Sequence, residues 1–245
     1  MTRAPIPNLA PGERRLEGAV VRYLARVLRL RAGDPFVAFD PANGREASAL
    51  TVWADHDAIC VRFGALREGT VRARRDLTWV QGLAKGDKCD AIVRDATELE
   101  ATRIIVATTK RSVVRLDAAR SSGRQERWAR IAQEAARQCG RSDPPAIDSP
   151  CRWNEALARV PADAARFCLW EGATNPLGPA LMHALAREAP LAFACGSEGG
   201  LEEEESEEAL AGGWQLASLG GLILRTETVA AAVLGAVRVW SGGAG

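Results

Sequence analysis

From Leu77 onward, short apolar runs and amphipathic stretches take turns along the chain, and this alternation limits the fold more than any other feature of the sequence. "LTWVQGLA" precedes a helical pattern over 87–99, "RIIVATT" one over 122–139 and "ARFCLW" one over 176–188, after which come "LAFAC" and "WQLASLG". Strands separated by helices pair in parallel and need cover on both faces. Residues 74–245 are therefore expected to form an α/β domain. The earlier runs "FVAFD", "REASALTVW", "AICVRFG" and "GTVRARR" alternate with period two between "PANG" and "GALREG", which predicts a small antiparallel barrel within a first domain, 1–73. Before it, "VVRYLARVLRLRAGD" places Tyr23, Val27 and Leu30 at helical spacing, with Gly33 as a stop.

Charge is segregated along the chain. The net charge is only +1, yet residues 1–75 hold 13 Lys and Arg against 8 Asp and Glu, and residues 103–141 hold ten basic side chains against three acidic ones. Arginine supplies most of this charge, and its planar fork suits phosphate, so nucleic acid is the expected partner. No run approaches the ~20 apolar residues of a membrane helix, and "MTRAPIPNLAPGERR" lacks the apolar core of a signal peptide, so a cytoplasmic protein is expected. Six scattered cysteines without a Cys-x-x-Cys pair, and two distant histidines, His56 and His183, signal neither a metal site nor a disulfide framework.

Two glycine turns follow strand patterns near the end of the chain. In "ACGSEGGLEEEESEEAL", Gly196, Gly199 and Gly200 stand between an apolar strand and a glutamate-rich helix, where missing Cβ atoms let backbone amides approach a ligand. Glu198 and the glutamates after it oppose a polyphosphate, and no Gly-Lys-Ser/Thr sequence compensates them. A cofactor with a cationic centre, S-adenosylmethionine, fits that sign. Most of the glutamates in 202–208 are expected to face solvent and complement the helix dipole. The second turn, "LASLGGLILRTETVAAAV", leads through Gly220 and Gly221 to Arg225, Thr226, Glu227 and Thr228 at the head of an apolar helix. Taken alone, Thr226 reads as a helix cap and Arg225 as a partner of Glu227 or of a neighbouring carboxylate. Two such turns in one parallel sheet are expected to converge on one pocket.

"GSEGGLEEEE" followed by "LGGLILRTET" resembles the paired signatures of the RsmE family of 16S ribosomal RNA uridine N3-methyltransferases, of the SPOUT superfamily. "RYLARVLRLRAGD", "KGDKCDAIVRDATELE", "KRSVVRLDAAR" and "RWARIAQEAARQCGRSDPP" extend the likeness, in order, over nearly the whole chain. The resemblance implies a PUA-like RNA-binding β-barrel, a domain with a trefoil-knotted parallel sheet, and a working site formed by two subunits on 16S rRNA or the small ribosomal subunit. It implies cofactor contacts at Gly196, Glu198, Gly199 and Gly200 in the first turn, and at Leu219, Gly220, Ile223, Leu224 and Thr228 in the second. It also places Arg225 and Glu227 beside the transferred methyl, and Arg22, Arg29, Arg111 and Arg141 at basic positions suited to RNA.

The chain departs from the family pattern at several positions. The family usually has proline at Ser197, arginine at Leu222, glutamate at Arg137, glycine at Glu100, lysine at Asp95 and histidine at Tyr23. The chemistry to be met is in-line transfer to uracil N3 with loss of its proton. Arg225 is expected to stabilise charge on a uracil carbonyl oxygen, and Glu227 or Glu198 to take the proton. A catalytically silent or retargeted RNA-binding relative is the alternative the departures suggest, and a dinucleotide-dependent oxidoreductase is a third reading.

Overall fold

A computed structural model of the protein describes residues 2–55, 57–113 and 118–242; His56 lies outside them. The chain divides into two compact units, one of Met1–Arg72 with Gln133–Pro144 and one of Ala73–Ala132 with Pro145–Gly245.

In the first unit, β1 (Arg3–Pro5), β2 (Gly12–Glu17), β3 (Pro35–Phe39), β4 (Arg45–Ala54), β5 (Ala58–Phe63) and β6 (Arg67–Glu68) form one sheet. Its order is β1-β3-β4-β5-β2, with β6 added to β4; every pairing is antiparallel except β1 with β3. Alternate residues turn Phe36, Ala38, Ala47, Ala49, Ile59, Val61 and Phe63 into one apolar core. The segment "GTVRARR", expected as a strand, is not one, because its polar groups bond elsewhere: Thr70 donates to Glu46 and the Val71 carbonyl accepts from the Ser142 N–H at 3.1 Å.

The expected helix near residue 20 is also different. A short α1 (Ala19–Val21) passes into a π-helical turn over Arg22–Val27, in which the Leu28 N–H reaches the Tyr23 carbonyl at 3.0 Å. The wider turn shifts the buried face by a residue. Leu24 is buried, and Val27, expected to pack, is exposed. Arg29, at φ 55, ends the helical run in the left-handed region.

Glu46 is fully buried in this unit. Arg3 approaches it at 2.9 Å, Arg67 at 3.0 Å and Ser142 at 3.1 Å, and Thr70 donates a further bond. Burial alone would raise its pKa; the bonds from Thr70, Arg3 and Ser142 outweigh that and hold it at about 2. Ser142 thus fastens Gln133–Pro144 to the sheet, which a reading of the sequence by linear segments does not find.

The second unit contains β7 (Leu77–Gly82), α2 (Lys88–Glu98), β8 (Arg103–Thr108), α3 (Ala118–Cys139, whose last turns belong to the first unit), β9 (Ala146–Ile147), β10 (Cys151–Arg152) and α4 (Trp153–Ala158). These are followed by β11 (Ala165–Leu169), α5 (Leu177–Ala186), β12 (Leu191–Cys195), α6 (Glu203–Ala211), β13 (Gln215–Ala217) and α7 (Thr226–Gly242). The strands form an all-parallel sheet in the order β10-β8-β7-β12-β11-β13, with β9 also on β8.

Every residue of β7 and β12 is buried, as expected of strands covered on both faces. Alternation sorts their side chains. Leu77, Trp79 and Phe193 join a core with α2, α5 and α7, while Val80, Ala192 and Ala194 join one with α4 and α6. In the first core, Phe167 stacks on Phe193 at 5.5 Å between ring centroids. The α/β fold expected from the alternation is therefore present. The short α4 carries no extended periodicity and was not anticipated.

Candidate functional site

The site lies at the carboxyl ends of β7 and β12, which are neighbours in register: Gln81 pairs with Cys195. Beyond β12 the chain makes a tight turn at 196–200, in which the Gly200 N–H donates to the Ser197 carbonyl at 3.0 Å. Glycine is required at two contacts of this turn. A Cβ on Gly82 would stand 2.4 Å from the Ser197 nitrogen, and one on Gly196 would stand 2.6 Å from the Gly200 carbonyl.

A buried carboxamide joins this turn to the second one. Gln81, 1% exposed, accepts a bond from the Trp79 indole N–H at 3.0 Å through Oε1. Its Nε2 faces three oxygens: the Gly82 carbonyl at 2.9 Å, the Gly196 carbonyl at 3.1 Å and Thr226 Oγ1 at 2.8 Å. Thr226 in turn donates to the Gly196 carbonyl at 2.9 Å. The hydroxyl expected as a helix cap is thus spent on the other turn, and the two turns meet. Burial pushes the neighbouring Cys195 thiol up to about 12, so it stays protonated beside Gln81 Oε1 and Thr226 Oγ1.

Three charged side chains brace the first turn. Glu198 Oε1 accepts from the Lys85 N–H at 2.9 Å and from the Lys88 ammonium at 3.1 Å. Burial would raise its pKa, but its own amide, the Lys85 amide and Lys88 hold it below the usual carboxylate range. Arg111 donates to the Gly199 carbonyl at 2.8 Å and to Glu202 at 2.8 and 3.2 Å. Glu205, in the cluster expected to face solvent, is buried. Its carboxylate accepts from the Lys110 N–H at 2.7 Å and the Glu202 N–H at 3.0 Å, so one member of the cluster turns inward to close the helix start.

The second turn stands open. Leu219 and Gly220 are exposed, Leu222 and Ile223 are 80% and 91% exposed, and Leu224 is half-buried. Arg225 and Thr228 are exposed on either side of the head of α7. Arg225 has no ion pair among the described residues, contrary to the pairing with Glu227 considered above. Glu227 Oε2 and Ser197 Oγ are buried without a hydrogen-bond partner among the described residues. Gly196, Glu198, Gly199, Gly200 and Arg111 are thereby brought together, and Thr226 links them to the segment that bears Arg225 and Glu227.

The other basic positions belong to the first unit. Arg22 and Arg29 are exposed there. Arg141 is not: it is buried against Asp143, with Nε 3.1 Å from the carboxylate and NH2 2.7 Å from the backbone carbonyl. It serves the interior of that unit. The sequence reading missed Gln81 and Thr226 as the junction; a glutamine inside an otherwise apolar strand is the signal that marks it.

Residues 72–238 match the model of a family described as an RNA methyltransferase domain. The chain is 32% identical over 219 residues to a ribosomal RNA small subunit methyltransferase E of Synechocystis, covering 87% of this chain and 68% of that protein. It is equally 32% identical over 222 residues to the protein of that name from Mycobacterium bovis, covering 89% and 82%. A solved ribosomal RNA small subunit methyltransferase E from Neisseria gonorrhoeae, bound to S-adenosyl methionine, superposes with a TM-score of 0.88 at 27% identity and 98% coverage of both chains.

Proposed function

The chain belongs to the ribosomal RNA small subunit methyltransferase E family, and on that premise we propose that it methylates N3 of a uridine in 16S ribosomal RNA with S-adenosylmethionine. The observation that carries this reading is the junction at Gly196, Gln81 and Thr226, which joins one glycine turn to the segment bearing the charged pair of the other.

The residues fit the cofactor. Glycine at 82 and 196 lets the backbone of the turn pack closely on itself and on the end of β7, and Ser197 Oγ and Glu227 Oε2 are buried polar atoms without partners among the described residues. Glu198 and Glu202 are offset by Lys88 and Arg111, which leaves Glu227 as the carboxylate whose charge favours a sulfonium. Gly196, Glu198, Gly199 and Gly200 would hold it on one side, and Leu219, Gly220, Ile223, Leu224 and Thr228 on the other. Bound there, S-adenosylmethionine supplies an electrophilic methyl group.

The rest is the work of this chain's own side chains. Arg225, exposed and unpaired among the described residues, stabilises negative charge spreading to a uracil carbonyl oxygen. Glu227, half-buried in the first turn of α7, takes the N3 proton; Glu198 is committed to Lys85 and Lys88 and serves the turn instead.

We assign the sheet of the first unit to a PUA-like barrel, with Arg22 and Arg29 as phosphate contacts, and the second unit to a SPOUT-type trefoil knot. The working form is a homodimer, a reading supported by the exposed Leu219, Leu222 and Ile223, and it works in the cytoplasm, where the ribosomal RNA substrate of this reading is found. Radiolabelled methyl transfer to small ribosomal subunits from cells lacking the gene tests the assignment. Incorporation at a uridine N3 is expected. Binding of the cofactor without transfer would mark a silent relative instead.

A further inference from the structure

Gln81 lies at the end of β7, too deeply buried to meet a substrate, yet it makes more side-chain hydrogen bonds at the site than any residue assigned to the reaction. Its orientation is fixed by chemistry. The Trp79 indole only donates, so Oε1 must face it; the Gly82 and Gly196 carbonyls only accept, so the NH2 must face them. Nε2 then also serves Thr226 Oγ1, whose own hydrogen goes to the Gly196 carbonyl. The Gly196 carbonyl thus receives two donors, one from β7 and one from the first residue of α7.

We propose that Gln81 is a positioning residue for methyl transfer. Its carboxamide locks the turn at Gly196 and the head of α7 at Thr226 into a single register, so that Arg225 and Glu227, the neighbours of Thr226, keep a fixed offset from the methyl-donor turn. This inference rests on the methyltransferase reading for its consequence, though not for its geometry. Among the described residues the second turn has little other anchor: Leu219, Leu222 and Ile223 are exposed, and its side-chain tie is local, the Gly220 N–H to Ser218 Oγ at 3.1 Å. Without the bonds that Gln81 and Thr226 make to Gly196, the charged pair and the donor turn would be aligned only through the sheet and the packing of α7 on α2 and α5, which fix the helix but not the register of its first residue.

Isosteric substitutions separate position from packing. Gln81→Glu keeps the shape but sets an acceptor against two carbonyls, and Thr226→Val removes the bridging hydroxyl, while Thr226→Ser keeps it. In the full-length chain, amide hydrogen exchange should accelerate together at 196–200 and 225–228 in Gln81→Glu and Thr226→Val, and return to the wild-type rate in Thr226→Ser. With small ribosomal subunits as substrate, kcat should fall about tenfold or more in both disruptive variants while KM for the subunit stays unchanged, and Thr226→Ser should restore kcat. Thr226→Val with wild-type exchange and kcat would overturn the proposal, as would a loss that Thr226→Ser fails to rescue. Should Gln81→Glu not fold, the two Thr226 variants decide alone. An inactive wild-type chain would sink the methyltransferase reading, whereas the exchange rates would still decide whether the two turns are coupled.

Discussion

The turn after β12 and the turn after β13 occupy equivalent places in one sheet, yet they are held in opposite ways. The first is braced on every side: by the close approach of Gly82, by Gln81, by Arg111 and by the Glu198 bonds to Lys85 and Lys88. The second offers Leu222 and Ile223 to solvent, and a Cβ added to Gly220 or Gly221 would meet no atom within 4 Å. A preformed turn supplies specificity before binding, because its ordering cost is already met in folding. An open turn leaves its apolar side chains to be covered by what it meets, whether a partner subunit, the cofactor or an RNA base.

The largest expected break in this comparison is a methyl placed on each turn. Gly196→Ala forces its Cβ onto the Gly200 carbonyl and should abolish cofactor binding at a cost of about 1–3 kcal/mol in stability, whereas Gly221→Ala should change stability by less than about 0.5 kcal/mol. Chemical denaturation with calorimetric titration of S-adenosylmethionine reads both. Next in size, Arg225→Ala should lower kcat by about 100-fold or more while the cofactor Kd stays within about threefold of wild type. A parallel loss of both would move Arg225 from the chemistry to the fabric of the turn.

The third prediction uses pH. The Glu198 carboxylate titrates below its ordinary value of 4.5, so its bonds are complete above that pH and are lost as pH falls through the lowered pKa. Exchange protection of 196–200 should therefore hold from neutrality to about pH 4.5 and drop below it, and Glu198→Gln should remove the dependence. Protection at 219–223 should not follow it. The smallest effect is expected from Arg111→Ala, whose bonds to Gly199 and Glu202 are exposed: a loss of cofactor affinity of about two- to fivefold, fading at high salt.

Much of this site is legible in the sequence. Strand and helix periods placed both turns at strand ends in one parallel sheet, and the sheet rule brought them together. The interior junction was not legible, because a lone glutamine in "LTWVQGLA" does not disclose which carbonyls it will meet. Nor was the inward turn of Glu205 or the burial of Arg141, where composition suggested solvent and tertiary pairing won.

Three departures from the family pattern make sense only in three dimensions. Arg137 lies over the Tyr23 ring at 5.8 Å, so the two altered positions meet, and the contact pairs a cation with an aromatic face. Glu100 sits at φ 72, the conformation that explains why glycine is usual there, and its carboxylate engages Arg238. The structure gives Leu222 no such partner among the described residues.

The position of β12 has a consequence for how the molecule is made. β7 touches β8 on one side and β12 on the other, and β11 touches β12 and β13, so Leu191–Cys195 is the seam between two half-sheets. A nascent chain that has emerged only as far as Pro190 carries β7 with one edge bare, more than a hundred residues after that strand was synthesised. The ligand turn begins at the very next residue after the seam. Joining of the half-sheets and formation of the first turn are therefore one event, to which β13, the second turn and α7 are added afterwards.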